Sequence, residues 1–582
     1  MNKKSIKKYF LYVIINSGDN MTKRVRKKKK IKVKRIIIVL LALIILGFVI
    51  YKGLGLLKNN VKIITKNYYL TSNINKVDTY NYNEETLKME DGEKLSRGTL
   101  VKSHDKTKVI DEITYTEVKK DDKVYYIKPE NLTLDKDKIV TEKEKYVRTS
   151  VTVYKNELDS KIASLIKKGN KLDILSYDYI DSEGLVNMYK IKKDDIEGWV
   201  YRKYLVDTEE EAKADYNENG VYDTHKDRKY SYELYGGHAS TLDYYPYEKP
   251  DFKDNPLLKT AKTMYLNAGV IKEIDSYLDI AKSSGVNAIV VDIKDGALGY
   301  PVEVAKEYSQ TAYDSAINDF DEFKSAIDKI KEAGIYAIAR IVVFNDSHYG
   351  HDHPEDCIES PVSSQKWPSA YSRGAWEYNV ELAKAVVHDM GFNEVQFDYV
   401  RFPETAYNMS RNSNTNFKNK YDEEKAEAIQ NFLFYATDQL HKEGVYLSVD
   451  VFGECSSEYV TSYGQYWPAI SNIVDVVSSM PYTDHFGRNV DTWSNAYQTV
   501  YNWAKGAAKR QEEIPTPAVA RTWITAYDTP YWNPSVVYGA SKISDQAKAL
   551  VDAGLKGGFI TWNSASSLYK YNQIKDAFSK DY

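Results

Sequence analysis

At 582 residues the chain exceeds what one ordinary hydrophobic core organises, so about two to four domains are expected. A composition of 43% hydrophobic and 28% charged residues excludes a disordered chain, and a net charge of -3 excludes a global nucleic-acid footprint. Two cysteines, Cys357 and Cys455, are too few for a disulfide framework.

Residues 1–35 form a tail whose second half, Lys23 to Arg35, is mostly basic; Met1 and Met21 are both open as starts. The uncharged run Ile36 to Tyr51 follows at once, and Gly53 to Leu57 extend it while Lys52 snorkels. Residues 36–57 thus reach the roughly 20 residues that span a bilayer. No small-x-small cleavage site follows, and the run is long for a signal-peptide core, so it reads as an uncleaved anchor. With the basic flank on its N-terminal side, the positive-inside rule keeps the N-terminus cytoplasmic and the rest of the chain outside the cell.

From residue 69 to 207 the chain reads as all-β, in short runs rich in Thr, Val and Tyr broken by turn residues. Within residues 145–207, Tyr146–Tyr154, Lys168–Leu175, Met188–Ile191 and Glu197–Val200 follow one another, the last containing Gly198-Trp199-Val200. This order resembles bacterial SH3-like domains, which close a small barrel with such a strand. Residues 69–135 repeat it faintly through Arg97-Gly98-Thr99-Leu100-Val101 and Val124–Ile127, giving a tandem pair. Such modules serve either as spacers or as binders of wall glycan or peptide. Residues 208–259 are acidic, then Tyr-rich and without periodicity: a linker whose later part wraps the next domain.

From residue 260 the pattern changes to short apolar strands alternating with amphipathic helices. Strands are expected at Thr263–Leu266, Ala288–Ile293, Tyr336–Val343, Glu394–Val400, Val445–Val451, Val474–Met480, Ala518–Thr522 and Gly558–Thr561. Helices fill the gaps, several of them meeting a stopping glycine such as Gly285, Gly334, Gly391, Gly444 or Gly554. Eight such units over residues 260–582 fit a (β/α)8 TIM barrel. A doubly wound open sheet is the alternative, weakened by the absence of a Gly-rich phosphate turn after the first strand.

Polar residues recur where these strands end: Asn267, Asp292, Lys294, Arg340, Asp398, Arg401, Asp450, Tyr482, Arg521, Trp523 and Asn563. Ile289, Val291 and Ile293 share one face, leaving Asp292 and Lys294 on the other; Val395 and Phe397 oppose Asp398, and Leu447, Val449 and Val451 oppose Asp450. The apolar faces must pack on the helix ring, so the opposing charges point to the barrel axis. Both faces around Arg340 are apolar, and parity decides nothing there. Inward carboxylates on adjacent strands repel, which raises the pKa of one of them. The bland readings are an ion pair for Asp292 with Lys294, and neutralising partners for Arg340 and Arg401. Trp523 and Trp562 serve equally as core or as sugar platform. His348, His351 and His353 lie in a long polar loop without a strand-end His, which favours a solvated loop over a metal site.

Val291–Asp295, Ala337–Phe344, Gln396–Pro403, Ser448–Gly453, Pro481–Gly487 and Thr561–Asn563, in that order, resemble a bacterial family of glycosyl-hydrolase-like TIM barrels. The string Phe397 to Pro403 is the most specific part, and the resemblance runs from about Lys262 to the C-terminus. It implies an O-glycosyl hydrolase in which Asp398 is the nucleophile or base and Asp450 the acid, with Glu454 as the reserve acid. Asp292, Lys294, Arg340, Arg401, Tyr482, His485, Trp523 and Trp562 would bind the sugar or tune the pair. No metal or other cofactor is required, and the expected partner is a cell-wall or surface polysaccharide or peptidoglycan, not a nucleic acid. Two alternatives are a non-catalytic polysaccharide-binding protein with a degenerate barrel, and a metal-dependent deacetylase built on the His-rich loop. Protease added to intact cells should remove everything after the anchor; full protection would contradict an extracellular placement.

Overall fold

The computed structural model describes residues 65–582 apart from 72–75, 136–137, 140–141, 181–184, 217–234, 488–489 and 530–534. The expected tail 1–35 and anchor 36–57 lie outside the described residues. Among the described residues no helix is long and apolar enough to cross a membrane. The chain divides into two compact units, Met1–Ile139 with Ser182–Leu185, and Val140–Asp181 with Val186–Tyr582.

The first unit is a seven-stranded antiparallel sheet. Its strands, in chain order, are Lys66–Leu70, Tyr80–Asn83, Lys88–Asp91, Leu100–Ile110, Ile113–Lys120, Lys123–Ile127 and Leu132–Thr133. Leu70, Val77, Val101, Val118, Tyr125 and Ile127 form its core. The second unit begins with another seven-stranded antiparallel sheet, from Glu144–Val147 to Leu205–Val206. In both sheets the strands lie side by side in the order third, second, sixth, fifth, fourth, first, seventh. The faint sequence repeat is therefore a repeat of topology. Gly198 is required in the second sheet because a Cβ there would lie 2.5 Å from the Tyr154 carbonyl oxygen.

The rest of the second unit is built of eight βα repeats. The strands are β1 (Ala261–Leu266), β2 (Ala288–Asp295), β3 (Tyr336–Val342), β4 (Glu394–Asp398), β5 (Tyr446–Phe452), β6 (Val476–Met480), β7 (Val519–Ala520 and Thr522–Thr525) and β8 (Gly558–Trp562). The helices are α1 (Ile274–Ser284), α2 (Phe320–Glu332), α3 (Arg373–Met390), α4 (Lys425–Lys442), α5 (Trp467–Ser471), α6 (Ala496–Glu512), α7 (Ala540–Asp552) and α8 (Leu568–Ile574). All neighbouring barrel strands are parallel. The first half of β7 pairs with β6 and the second half with β8, so the sheet returns on itself and closes. This is the geometry of a TIM barrel, not of an open doubly wound sheet.

Closure stacks the inward side chains in layers. Asp398, Gln396 and Glu394 of β4 descend from the C-terminal rim to the opposite end. Glu394 takes two bonds from Arg521 Nη1, at 2.8 and 3.0 Å, and Gln396 Nε2 donates to Ser478 Oγ at 3.2 Å. Arg521 thus belongs to the far end of the barrel, where Nη2 also donates to the Leu258 carbonyl at 2.8 Å; the expectation that it ends a strand at the rim is corrected. The reason is that β7 is interrupted at Arg521 and continues to Thr525. Strand β4 also ends earlier than its residue pattern suggests, because Tyr399 takes a left-handed conformation with φ 54°.

The segment after residue 234 lies against the barrel. Leu242 and Tyr244 pack with Ala426, Val460, Tyr466 and Ala469. Lys249 Nζ donates to the Asn472 and Val474 carbonyls, and Asn255 Nδ2 to those of Asn393 and Gly444. The second β sheet is seated on α3 and α4. Tyr204 Oη donates to Asp438 at 2.8 Å, Ile162 N to Glu377 at 2.6 Å, and Tyr154 stacks on Tyr435 with centroids 6.1 Å apart.

Arg521 and Glu394 have no exposed side-chain surface. Arg521→Met should destabilise the protein by about 3–5 kcal/mol, because it strands a buried carboxylate. Adding Glu394→Gln should recover part of that loss in denaturant melts. A single variant as stable as wild type would contradict the pairing.

Candidate active site

Four consecutive strands, β2 to β5, bring Asp292, Arg340, Asp398 and Asp450 to one layer at the C-terminal end of the barrel, where loops are free to vary without disturbing the core. The Arg340 guanidinium is the hub. Nη1 donates to Asp292 Oδ1 at 2.6 Å and to Asp295 Oδ2 at 3.1 Å. Nη2 and Nε donate to Asp398 Oδ2 at 2.6 and 3.1 Å, and Nε lies 3.8 Å from Asp450 Oδ2. Parity left the direction of Arg340 open; the structure turns it inward.

The carboxylates are not equivalent. Asp398 has a third donor, the Tyr399 backbone N–H at 2.6 Å from Oδ1, placed there by the left-handed turn. Asp450 Oδ1 accepts the Trp523 indole N–H at 2.7 Å, while its Oδ2 has no hydrogen-bond partner among the described residues. Burial, and then the charge of Asp398, push the Asp450 carboxyl well above the usual carboxylate range, with Arg340 and Trp523 opposing them. Asp292 is pushed up to about 6 by burial, offset in part by Arg340. Its second oxygen accepts the Tyr265 hydroxyl.

Aromatic rings wall this layer. Trp562 stacks on Tyr482 at 6.3 Å and lies 4.7 Å from Tyr265, and both Trp562 and Tyr265 sit 5.8 Å from the Arg340 guanidinium carbon. Burial followed by the charges of Asp450 and Asp398 raises the Tyr482 phenol, so it is a neutral donor. His485 is exposed at the rim, edge-on to Tyr482 at 5.4 Å. Arg401 is buried beside the site, donating to Glu404 Oε1 at 3.0 Å and lying over Phe452 at 4.4 Å.

Lys294 does not join the constellation. The ladder with β3 shifts between Asp292 and Lys294, leaving Ile293 as an extra residue. That bulge turns Lys294 outward, to Asp346 Oδ2 at 2.6 Å and Asn379 Oδ1 at 2.7 Å. The expected common face of Asp292 and Lys294, and an ion pair between them, are thereby corrected.

Tyr265 and Asp295 were not singled out from sequence. Alternation through Thr263 and Tyr265 on β1 carries a signal for the first. Asp295 lies past the bulge, so its contact with Arg340 has no periodic signature. The His-rich segment is a short helix, Ser347–Asp352, capped by Asp346. His353 Nε2 meets the Tyr308 carbonyl, and Asp352 accepts from Ser309 and Thr311. Among the described residues no group of His, Cys, Asp and Glu could hold a metal ion. Both cysteines are free and buried.

The layer concentrates negative charge on one cation, which fixes the sign of its pH dependence. A carboxyl raised in the folded state makes stability fall as pH rises between its unfolded and folded pKa values, here from about 3.9 upward to about 6 for Asp292. Removing Arg340 raises these carboxyls further. Arg340→Met should therefore melt near wild type at about pH 4 and fall progressively below it toward about pH 8. A pH-independent deficit would contradict this electrostatic role.

A hypothetical protein of Ruminiclostridium thermocellum ATCC 27405 is 30% identical over 32% of this chain and 97% of its own, with a TM-score of 0.27. The PgaB (BpsB) glycoside hydrolase domain of Bordetella bronchiseptica is 12% identical over 56% of this chain and 100% of its own, with a TM-score of 0.42. A class V chitinase of Pseudomonas fluorescens Pf-5 is 11% identical over 55% of this chain and 99% of its own, with a TM-score of 0.37. The barrel assignment rests on this chain's own strand order, not on these scores. No curated protein matches the chain. The family model described as "Putative glycosyl hydrolase domain" matches residues 263–569, from β1 into α8 and across every residue of the carboxylate layer, and the chain belongs to that family.

Proposed function

We propose that this protein is a membrane-anchored, extracellular glycoside hydrolase acting on a cell-wall or surface polysaccharide through Asp398 and Asp450. One observation carries the reading: two carboxyl groups on adjacent strands meet Arg340 unequally, Asp398 at 2.6 Å from Nη2 and Asp450 at 3.8 Å from Nε, where burial drives Asp450 toward its neutral form. Glycoside hydrolysis needs such a division, one acid that protonates the leaving oxygen and one carboxylate that attacks or activates water. Asp450, buried and with one oxygen lacking a hydrogen-bond partner among the described residues, supplies the proton. Asp398, oriented by Arg340 and the Tyr399 amide, is the nucleophile or base. The tandem sheets before the barrel are read as SH3-like wall-binding modules, and the apolar run 36–57 as the anchor.

A second reading, glycan binding without turnover, is favoured by the absence of any exposed side-chain surface on Asp450. Glu454, at the rim and bonded by the Tyr459 and Tyr463 hydroxyls at 2.7 and 3.1 Å, is the alternative acid.

The test is turnover of peptidoglycan, exopolysaccharide and teichoic-acid fractions by wild type and three variants. Asp398→Asn should abolish cleavage while glycan binding survives. Asp450→Asn should lose about 10²–10⁴-fold on natural glycans, regain rate on substrates with good leaving groups, and lose the alkaline fall in kcat/KM. If Glu454→Gln shows that pattern instead, the acid is Glu454. A folded Asp398→Asn protein with normal turnover would sink the mechanism.

A further inference from the structure

The four carboxyl groups around Arg340 differ in how far they reach the mouth of the barrel. The Asp450 side chain has no exposed surface, and those of Asp292 and Asp398 keep only 5% and 7%. Asp295 keeps 45%. Two half-buried rings share its side of the layer. Trp562 lies 5.8 Å from the Arg340 guanidinium carbon, and Tyr399 follows Asp398 directly. Burial, then the charge of Asp398, raises the Tyr399 phenol, and Asp295 adds to that effect. A ligand entering this layer meets Asp295 and these rings before it can reach Asp398.

Asp295 is not a loose rim residue. Strand β2 ends in a tight hairpin, with Lys294 paired to Leu298 and Asp295 to Ala297 across Gly296 at φ 72°, a left-handed turn that suits glycine. The bulge at Ile293 sends Lys294 outward and returns Asp295 to the side of Asp292, where both accept from Arg340 Nη1. Lys294 locks the hairpin from behind. Its ammonium and the Asp346 carboxylate are both buried, and Asn379 of α3 accepts a second bond from it. Asp346 also accepts the His348 and Tyr349 amides at 3.1 and 3.0 Å, which ties the hairpin to the loop after β3. Burying an ion pair costs desolvation that its attraction scarcely returns. What the pair supplies is direction, because neither segment can slide without stranding a charge.

The result is a carboxylate fixed in place yet open to solvent, one guanidinium away from Asp398. Arg340 reaches its Oδ2 at 3.1 Å, against 2.6 Å for Asp292 and Asp398. An ionised carboxylate has about four acceptor sites, so one such bond leaves capacity for further donors. Hydroxyl and ammonium groups of a sugar are donors of the matching kind, and a charged acceptor strengthens the bond. The Trp562 and Tyr399 rings add flat apolar surface beside it.

We infer that Asp295 is a substrate-contacting residue, accepting hydrogen bonds from hydroxyl or amino groups of the sugar ring seated over Asp398. The inference rests on the hydrolase reading for its ligand class, but contact is tested separately from turnover.

Carbodiimide labelling of carboxyl groups on the full chain, read by mass spectrometry, provides the test. Asp295 should label readily and Asp450 should not. Soluble peptidoglycan, exopolysaccharide and teichoic-acid fractions would then be added singly. At least one should protect Asp295, while Asp275, exposed on α1, labels as before. The protecting fraction should bind Asp295→Ala about 10–100-fold more weakly, and Asp295→Asn less so, since the amide keeps one acceptor oxygen. Asp295→Ala should melt close to wild type; if it does not fold, the labelling of the wild-type protein decides alone. Wild-type affinity in Asp295→Ala would overturn the proposal. Cleavage of a fraction that leaves Asp295 unprotected would overturn the contact and spare the hydrolase reading. Protection without cleavage would do the reverse, and neither protection nor cleavage by any fraction would remove both.

Discussion

A guanidinium inside the mouth of the barrel is the constraint around which this protein is arranged. Arg340 reaches Asp292 on β2 and Asp398 on β4 at hydrogen-bond distance and approaches Asp450 on β5. Without it, three carboxyl groups from neighbouring strands would converge in a poorly solvated layer with no compensating charge. With it, Asp398 has a fixed orientation, while Asp450 remains far enough from the cation that burial dominates its protonation. The planar fork matters here, since one lysine ammonium could not present separate donors to Asp292, Asp295 and Asp398 in fixed directions.

The remainder of the second unit keeps that layer stiff. At the far end of the barrel Arg521 and Glu394 form a second buried ion pair, so charge lies at both ends of a column whose middle is filled by Gln396, Ser478 and aliphatic side chains. The segment after residue 234 seals that far end through Asn255 and Leu258. The second β sheet rests on α3 and α4 through bonds to Glu377 and Asp438. Helices loaded in this way have less freedom to shift than bare ones. Residues of the site then depend on a scaffold larger than the barrel alone.

Much of this was legible beforehand, for identifiable reasons. Eight alternations of strand and helix appear as changes of hydrophobic period, and period depends only on local geometry. Asp292, Asp398 and Asp450 were found because each opposes an unbroken apolar face. Lys294 was misplaced because the bulge at Ile293 changes parity without changing composition. Arg521 was placed at the wrong end because an interrupted strand reads as a terminated one.

Local alternation and chain order therefore set the fold class, the tandem β repeat and the inward carboxylates, since each is written in the spacing of neighbouring residues. Which carboxyl takes the guanidinium and which is left to burial was decided only by tertiary structure. That division depends on the direction of Arg340, whose flanking residues are apolar on both faces and carry no parity signal. It also depends on Trp523, whose bond to Asp450 joins β7 to β5 across a barrel that exists only once its sheet has closed.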